Sequence, residues 1–262
     1  HWYELCEVVG RGGFGITYRA RDVNLGRDVA IKEFFPEASA RRTDDGLLAP
    51  RGPNHEQAFY WGRERFLSEA RTLARFRHPG IVQVNSVFED SGGAYMVMTL
   101  EAGANLEALA SGGWKPSEGE LVSLLRRILD GLQVIHSGGF VHRDVKPENI
   151  IVRPDGSPVL LDFGSARSSS ISEGVGNTAM VSAGYAPFEQ YSSDTGEVLE
   201  GPWTDIYGVA ACGYRVIFGK RPPDALERAS AALGGDVDPL ARIFELNPQE
   251  DYSRQLVAAM YE

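Results

Sequence analysis

Apolar and polar positions over residues 3–35 fall into three strand-like runs: Leu5, Val8 and Val9, then Ile16, Tyr18 and Ala20, then Val29, Ala30 and Ile31. Turn signals separate them at the glycine cluster 10–15 and at Asn24-Leu25-Gly26. Prolines, Arg41-Arg42 and Asp44-Asp45-Gly46 break the pattern over 36–62, which reads as a long loop. Helical spacing then runs from Arg63 to Phe76 through Phe66, Leu67, Ala70, Leu73 and Ala74, and His78-Pro79 stops it. Two further strands, 81–88 and 94–100, are joined by Asp90-Ser91-Gly92-Gly93.

After Gly103 the pattern becomes helical. Ser117 with Glu120 three residues on is a capping box ahead of Leu121, Leu124, Leu125, Ile128, Leu129, Leu132 and Ile135. Residues 205–218 are apolar almost all round, which predicts a buried helix. A strand-rich first hundred residues and a helix-rich remainder predict an α+β chain of two lobes, with a boundary near Thr99–Gly103.

Composition narrows the functional classes. At 262 residues the chain supports one large domain or two lobes with separate cores. A net charge of −10 leaves no basic excess to neutralise a phosphate backbone, so nucleic acid is not expected as a partner. No stretch approaches the roughly 18 apolar residues of a membrane span, so no membrane contact is expected from this segment. Cys6 and Cys212 have no His or Cys neighbours at metal spacing and read as two reduced thiols in apolar segments, which suits a cytoplasmic location. The chain starts at His1 without a Met and enters structure at once, so it reads as an excised domain; an anchor elsewhere in a parent protein is compatible with that.

The densest chemistry lies in His142-Arg143-Asp144-Val145-Lys146-Pro147-Glu148-Asn149. It offers a carboxylate to take a proton, a lysine two residues on and an amide oxygen five residues on. Asp162-Phe163-Gly164 adds a second acid. A base, a cation near the transferred group and two oxygen ligands for a divalent metal are what phosphoryl transfer from ATP needs. Asp144 reads as the base, Lys146 as the cation, and Asn149 and Asp162 as the ligands for Mg²⁺. His142 reads as a core residue, because its neighbour Asp144 is already placed for proton transfer.

Gly10-Arg11-Gly12-Gly13-Phe14-Gly15 is a phosphate-cradling pattern shared with dinucleotide folds. Those folds need a helix next, whereas Ile16-Thr17-Tyr18-Arg19-Ala20 is β-branched and alternating, hence a strand. Lys32 ends the apolar run Val29-Ala30-Ile31, where a lysine is costly unless its ammonium has partners. Glu69, between Phe66 and Leu73 on the following helix, is the acid expected to hold it towards the α- and β-phosphates.

Taken in order and spacing, Gly10–Gly15, Val29-Ala30-Ile31-Lys32, Glu69, His142–Asn149, Asp162-Phe163-Gly164, Ala186-Pro187-Phe188-Glu189 and Asp205 resemble the eukaryotic-type protein kinase family across nearly the whole chain. Gly10–Tyr18, Lys32-Glu33-Phe34-Phe35-Pro36 and Gly184–Tyr191 resemble bacterial serine/threonine kinases in particular. The resemblance implies a bilobal protein-kinase-like fold: an antiparallel-sheet N-lobe with one main helix (1–98), a hinge (99–103) and a mostly helical C-lobe (104–262) with ATP in the cleft. It implies ATP contacts from Val9, Gly10, Arg11, Gly12, Gly13, Phe14, Gly15, Ile16, Thr17, Ala30, Lys32 and Ile151, a gatekeeper at Met98, and a hinge at Thr99-Leu100-Glu101. Leu73, Val84, His142 and Phe163 match the family's stacked column, anchored by Asp205.

Lys146, two residues past the base, is the serine/threonine-specific choice within the family, and Ser182 falls where a threonine contacts base and lysine. The long segment between residues 162 and 189 favours a protein substrate over a small molecule. The implied cofactors are ATP and Mg²⁺, with Mn²⁺ as an alternative. Arg143 and Arg167 match a pocket for an activating phosphate, with Thr178 at the usual acceptor position, so self-association for autophosphorylation is an expectation. Departures are Phe188 in place of proline, the long 36–62 segment, whose Arg41, Arg42 and Arg51 read as solvated, and a stop at Glu262. The family continues into a helix whose arginine pairs with the acid at Glu189, so a truncated C-lobe is expected to leave that carboxylate without its partner. A pseudokinase scaffold and a small-molecule phosphotransferase are the rival readings.

Overall fold

A computed structural model describes residues 2–13, 15–162, 167–168 (backbone), 181–191, 200–241 and 251–261. By its internal packing the chain divides into two compact units, His1–His78 with Val82–Glu101, and Pro79–Ile81 with Ala102–Glu262.

The first unit is built on a five-stranded antiparallel sheet of β1 (Tyr3–Gly12), β2 (Gly15–Asp22), β3 (Arg27–Phe34), β6 (Val84–Asp90) and β7 (Gly93–Thr99), in the order β1-β2-β3-β7-β6. Strand alternation gives the sheet two different faces. One buries Ala20, Val29, Ile31 and Val97 under Tyr3, Phe88 and Tyr95. Tyr3 and Phe88 stack with ring centroids 5.8 Å apart although they belong to opposite edge strands, so the sheet is strongly curled. The other face carries Phe34 against Phe59 and Phe66 of helix α1 (Glu56–Leu73), at centroid distances of 5.6 and 5.9 Å.

Helix α1 therefore starts seven residues before the Arg63 expected from the sequence, and 36–62 is not a loop. Asp44-Asp45-Gly46 turns a small hairpin, β4 (Ala40–Arg42) with β5 (Leu48–Pro50), in which Gly46 takes φ 82° and donates to the Thr43 carbonyl at 2.9 Å. Pro53 opens a single 3-10 turn, Pro53–His55, where a missing N–H costs nothing. Gly62 lets the helix close on Phe34: an added Cβ would lie 3.1 Å from that ring.

Arg41, Arg42 and Arg51 of the insertion are exposed, as expected, but two of them also hold the hairpin. Arg42 donates through Nη2 to both oxygens of Glu33, at 2.7 and 2.8 Å, and Arg51 donates to the Ala40 carbonyl at 3.1 Å. Glu33 is only 1% exposed, and the hydroxyls of Tyr18 and Tyr95 complete its shell at 2.9 and 3.0 Å. Burial and the Glu33 carboxylate push the Tyr95 phenol up to about 12. A buried carboxylate with this many donors fastens the hairpin to β3.

In the second unit, β8 (Ala104–Asn105), β10 (Ile150–Val152) and β11 (Pro158–Leu160) form a small sheet in the order β11-β10-β8. The helices are α2 (Leu106–Ser111), α3 (Glu118–Ser137), α4 (Phe188–Tyr191), α5 (Pro202–Phe218) and α6 (Ala225–Gly234), with a further one at Arg254–Ala259. The Ser117/Glu120 capping box is present and starts α3, which buries Leu121, Leu124, Ile128, Leu132 and Ile135 against α5 and β11. Helix α5 is buried along most of its length, but Trp203 and Ile206 in its first turns are exposed, unlike the all-round burial expected. Arg215 of α5 reaches Glu107 of α2 through two nitrogens, at 3.0 and 2.6 Å, and holds that carboxyl below the usual range. Neither cysteine is in a disulfide; burial pushes the Cys212 thiol up, whereas Cys6 is exposed on an edge strand and not in an apolar interior.

Candidate active site

Between β9 (Phe140–Val141) and the 3-10 turn Pro147–Asn149 the chain has no ladder to satisfy its backbone, and α5 supplies the partners. Asp205, 1% exposed, accepts the N–H of His142 at 2.9 Å and of Arg143 at 2.7 Å, and its Oδ2 meets His136 Nε2 at 2.6 Å. Arg143 takes a left-handed backbone, φ 69°, which the Asp205 contact secures. One turn further along α5, Gly208 lies against the same loop: a Cβ there would sit 2.7 Å from the Val145 carbonyl oxygen. Helix α5 thus fixes the loop with a carboxylate at Asp205 and with a missing side chain at Gly208.

On that support the Asp144 carboxylate is surrounded by the residues the sequence singled out. Its Oδ1 accepts the Ser182 hydroxyl at 2.8 Å, and its Oδ2 accepts Asn149 Nδ2 at 2.8 Å and pairs with Lys146 Nζ at 2.8 Å. Lys146 also donates to Ser182 Oγ at 3.1 Å, closing a ring of base, lysine and hydroxyl. Asn149 Nδ2 has a second acceptor, the Asp144 carbonyl at 2.9 Å, which fixes the amide and leaves its oxygen for other use.

His142 is fully buried, and both ring nitrogens are engaged. Its Nδ1 accepts the Asp144 N–H at 3.3 Å, so Nε2 carries the proton and donates to the Leu161 carbonyl at 3.0 Å. A neutral ring held at both ends has no lone pair for a substrate. The Leu161 N–H donates in turn to the Asn149 carbonyl at 2.8 Å, which ties the Asp162 backbone, φ 52°, to the same loop.

The first unit holds the other set of residues. β1 and β2 pair Gly10 with Thr17, Arg11 with Ile16 and Gly12 with Gly15, making the glycine pattern the tip of a hairpin. β3 pairs Lys32 with Thr17 on one side and Met96 on the other, and Ala30 with Met98. Thr17, Ala30, Lys32 and Met98 therefore share the sheet face on which α1 packs, and Glu69 is a half-buried residue of that helix. Val9 lies on β1, Thr99 ends β7, and Leu100 and Glu101 follow it.

Gly15 is the glycine sterics demand: a Cβ there would lie 2.4 Å from the Glu33 carbonyl oxygen across the strand pair, while nothing lies within 4 Å of one at Gly12. Gly15→Ala should therefore cost about 1–3 kcal/mol in chemical denaturation and Gly12→Ala less than about 0.5 kcal/mol. Equal stabilities would contradict the close approach.

The family model for the protein kinase domain matches residues 3–257. The chain belongs to the protein kinase family. It is 33% identical over 228 residues to the serine/threonine-protein kinase PknA of Mycobacterium tuberculosis, covering 84% of this chain and 47% of that protein. It is 29% identical over 249 residues to the probable serine/threonine-protein kinase PknB of Lactococcus lactis, covering 94% of this chain and 36% of that protein. Against the solved structure of PpkA-294 in its apo form, identity is 34% and TM-score 0.82, over 100% of this chain and 89% of that chain. It is a bacterial-type serine/threonine kinase catalytic domain with the expected sheet-built first unit and helical second unit, and it spans less than half the length of these two curated relatives.

Within the kinase domain, Ile151 lies on β10 in the second unit. Phe14, Phe163, Gly164 and Thr178 lie outside the described residues, and of Arg167 only the backbone is described, paired with Val141. Arg143 is ion-paired through Nε with Glu200. Glu189 does not lack a partner, contrary to the sequence expectation: Thr204 Oγ1 donates to it at 2.9 Å. Thr204, Gly208 and Glu200 carry no signal of their own in the sequence, since each acts through contacts 15 to 63 positions away. Among the described residues no helix is long and apolar enough to cross a membrane.

Proposed function

We propose that this domain transfers the γ-phosphoryl group of ATP to serine and threonine hydroxyls of protein substrates. The observation that carries the reading is the ring at Asp144, whose carboxylate is held by Lys146, Ser182 and Asn149. Oδ1 accepts one hydrogen bond where Oδ2 takes two, so Oδ1 keeps a lone pair for the acceptor hydroxyl. As the hydroxyl oxygen bonds to phosphorus and the bond to ADP breaks, the hydroxyl proton passes to Asp144. Lys146 offsets charge on the moving phosphoryl group.

The donor set fits a hard cation. Asn149 has its nitrogen committed and its oxygen left, and Asp162 on the tethered segment adds a carboxylate. Mg²⁺ bound there would neutralise phosphate oxygens, and Mn²⁺ suits the same donors. Lys32 and Glu69, with Val9 to Thr17, Ala30, Met98 to Glu101 and Ile151, are the residues assigned to ATP. The reduced thiols and the need for ATP support a cytoplasmic location. Thr178 or the nearby serines, with Arg143 and Arg167 as phosphate partners, are the assigned sites of autophosphorylation between copies of the chain.

The test is incubation of the purified domain with γ-labelled ATP, Mg²⁺ or Mn²⁺, and peptides offering serine, threonine or tyrosine. The expected result is label on serine and threonine only, and on the 163–181 segment by mass spectrometry. Label on tyrosine, or on a small-molecule hydroxyl alone, would overturn the substrate class.

A further inference from the structure

Asp224 stands one residue before α6 and puts its two carboxylate oxygens to different uses. Oδ1 accepts the Leu226 N–H at 2.9 Å and caps the helix. Oδ2 accepts the Tyr191 hydroxyl of α4 at 2.5 Å and the Gly184 N–H at 3.3 Å. A cap needs only the first of these bonds. Burial and then the Asp224 carboxylate push the Tyr191 phenol well above its usual range, so it keeps its proton and donates. Gly184 belongs to a turn in which the Ser182 carbonyl accepts the N–H groups of Tyr185 at 2.9 Å and Ala186 at 3.0 Å. Gly184 is buried with φ 81°, and a Cβ there would lie 2.7 Å from the Pro222 carbonyl oxygen and 2.9 Å from Arg221 Cγ. The turn is therefore seated on the stretch that leads into Asp224. At its other end it delivers the Ser182 hydroxyl to Asp144 Oδ1 at 2.8 Å.

We infer that Asp224 is a positioning residue for phosphoryl transfer: its Oδ2 clamps the turn 182–186 to α4 and α6 and so holds Ser182 on the Asp144 carboxylate. The inference rests on reading Asp144 as the base. Ser182 Oγ accepts from Lys146 at 3.1 Å while it donates to Asp144, so a shift of the turn disturbs lysine and base together. Hydrogen bonds to a carboxylate are stronger than those between neutral groups, which suits one side chain to joining three pieces of chain. Asp224 touches neither Asp144 nor Lys146 in this arrangement; it acts through the backbone between Gly184 and Ser182.

The experiment compares wild type, Asp224→Ser, Ser182→Ala and the double variant Asp224→Ser/Ser182→Ala in label transfer to a serine/threonine peptide. Serine keeps an oxygen for the α6 cap but is too short to reach Gly184 and Tyr191 as well. Asp224→Ser should lose about ten-fold in kcat with the KM for ATP little changed. In the Ser182→Ala background the same substitution should cost less than about two-fold, because the group it positions is already gone. An equal fold-loss in both backgrounds would overturn the inference, since a general loosening of the fold multiplies with any other defect. A kcat for Asp224→Ser within about two-fold of wild type would overturn it as well. Hydrogen exchange reads the tie without catalysis: amides of 183–186 should exchange about ten-fold faster in Asp224→Ser, and unchanged exchange would contradict the clamp. Faster exchange in Asp224→Ser when wild type transfers no label would support the clamp and overturn the phosphotransfer reading alone. If Asp224→Ser fails to fold, Asp224→Asn carries the same tests, since its one oxygen cannot serve both the Leu226 and the Gly184 N–H.

Discussion

Asp205→Ala should remove about 3–5 kcal/mol of stability and disable the loop in whatever fraction still folds. The carboxylate is 1% exposed and accepts from two backbone N–H groups and from His136, so alanine strands all three donors in the interior. Each buried donor left without an acceptor costs about 1–3 kcal/mol. Asp205→Asn should fall between, since its single oxygen serves one N–H and its amide hydrogens face the other. Chemical denaturation measures the loss, and a change below about 1 kcal/mol for Asp205→Ala would show that α5 does not carry the loop.

The loop itself was legible in the sequence because its chemistry is contiguous. Asp144, Lys146 and Asn149 lie within six residues, and the structure places all three around one carboxylate. The sheet-then-helix order was legible for a similar reason: periodicity is local, and β1 to β3 and α3 declare it within a single turn or pleat. What did not show were the partners supplied from far along the chain. Glu33 looks like an ordinary charged residue after Lys32, yet it is buried because Tyr18, Tyr95 and Arg42 converge on it. Residues 36–62 read as a loop because their prolines and Asp-Gly interrupt the apolar pattern. They are the punctuation of a hairpin and the start of a helix, and burial of Phe59 against Phe34 explains the helix's early start. The expectation for Glu189 failed in the same way: a hydroxyl from Thr204, close in sequence to Asp205, satisfies it without an arginine.

The second large effect concerns the base. Asp144→Asn preserves the shape of the side chain and one carbonyl oxygen for Ser182, but removes the charge that pairs with Lys146 and the lone pair that takes the hydroxyl proton. The amide nitrogen would also face Asn149 Nδ2 and Lys146 Nζ, donor against donor. The fold survives this change, because Asp205 and Gly208 hold the loop independently of the carboxylate. Chemistry does not. General-base catalysis contributes about 10²–10⁴-fold, and the loss should appear in kcat with little change in the KM for ATP, since the nucleotide is assigned to other residues.

The most direct measurement is therefore the initial rate of label transfer from γ-labelled ATP to a serine/threonine peptide, for wild type and Asp144→Asn side by side at matched fold and concentration. The account predicts steady transfer by wild type and a loss of about 10²–10⁴-fold in the variant. Equal rates for the two proteins would contradict it.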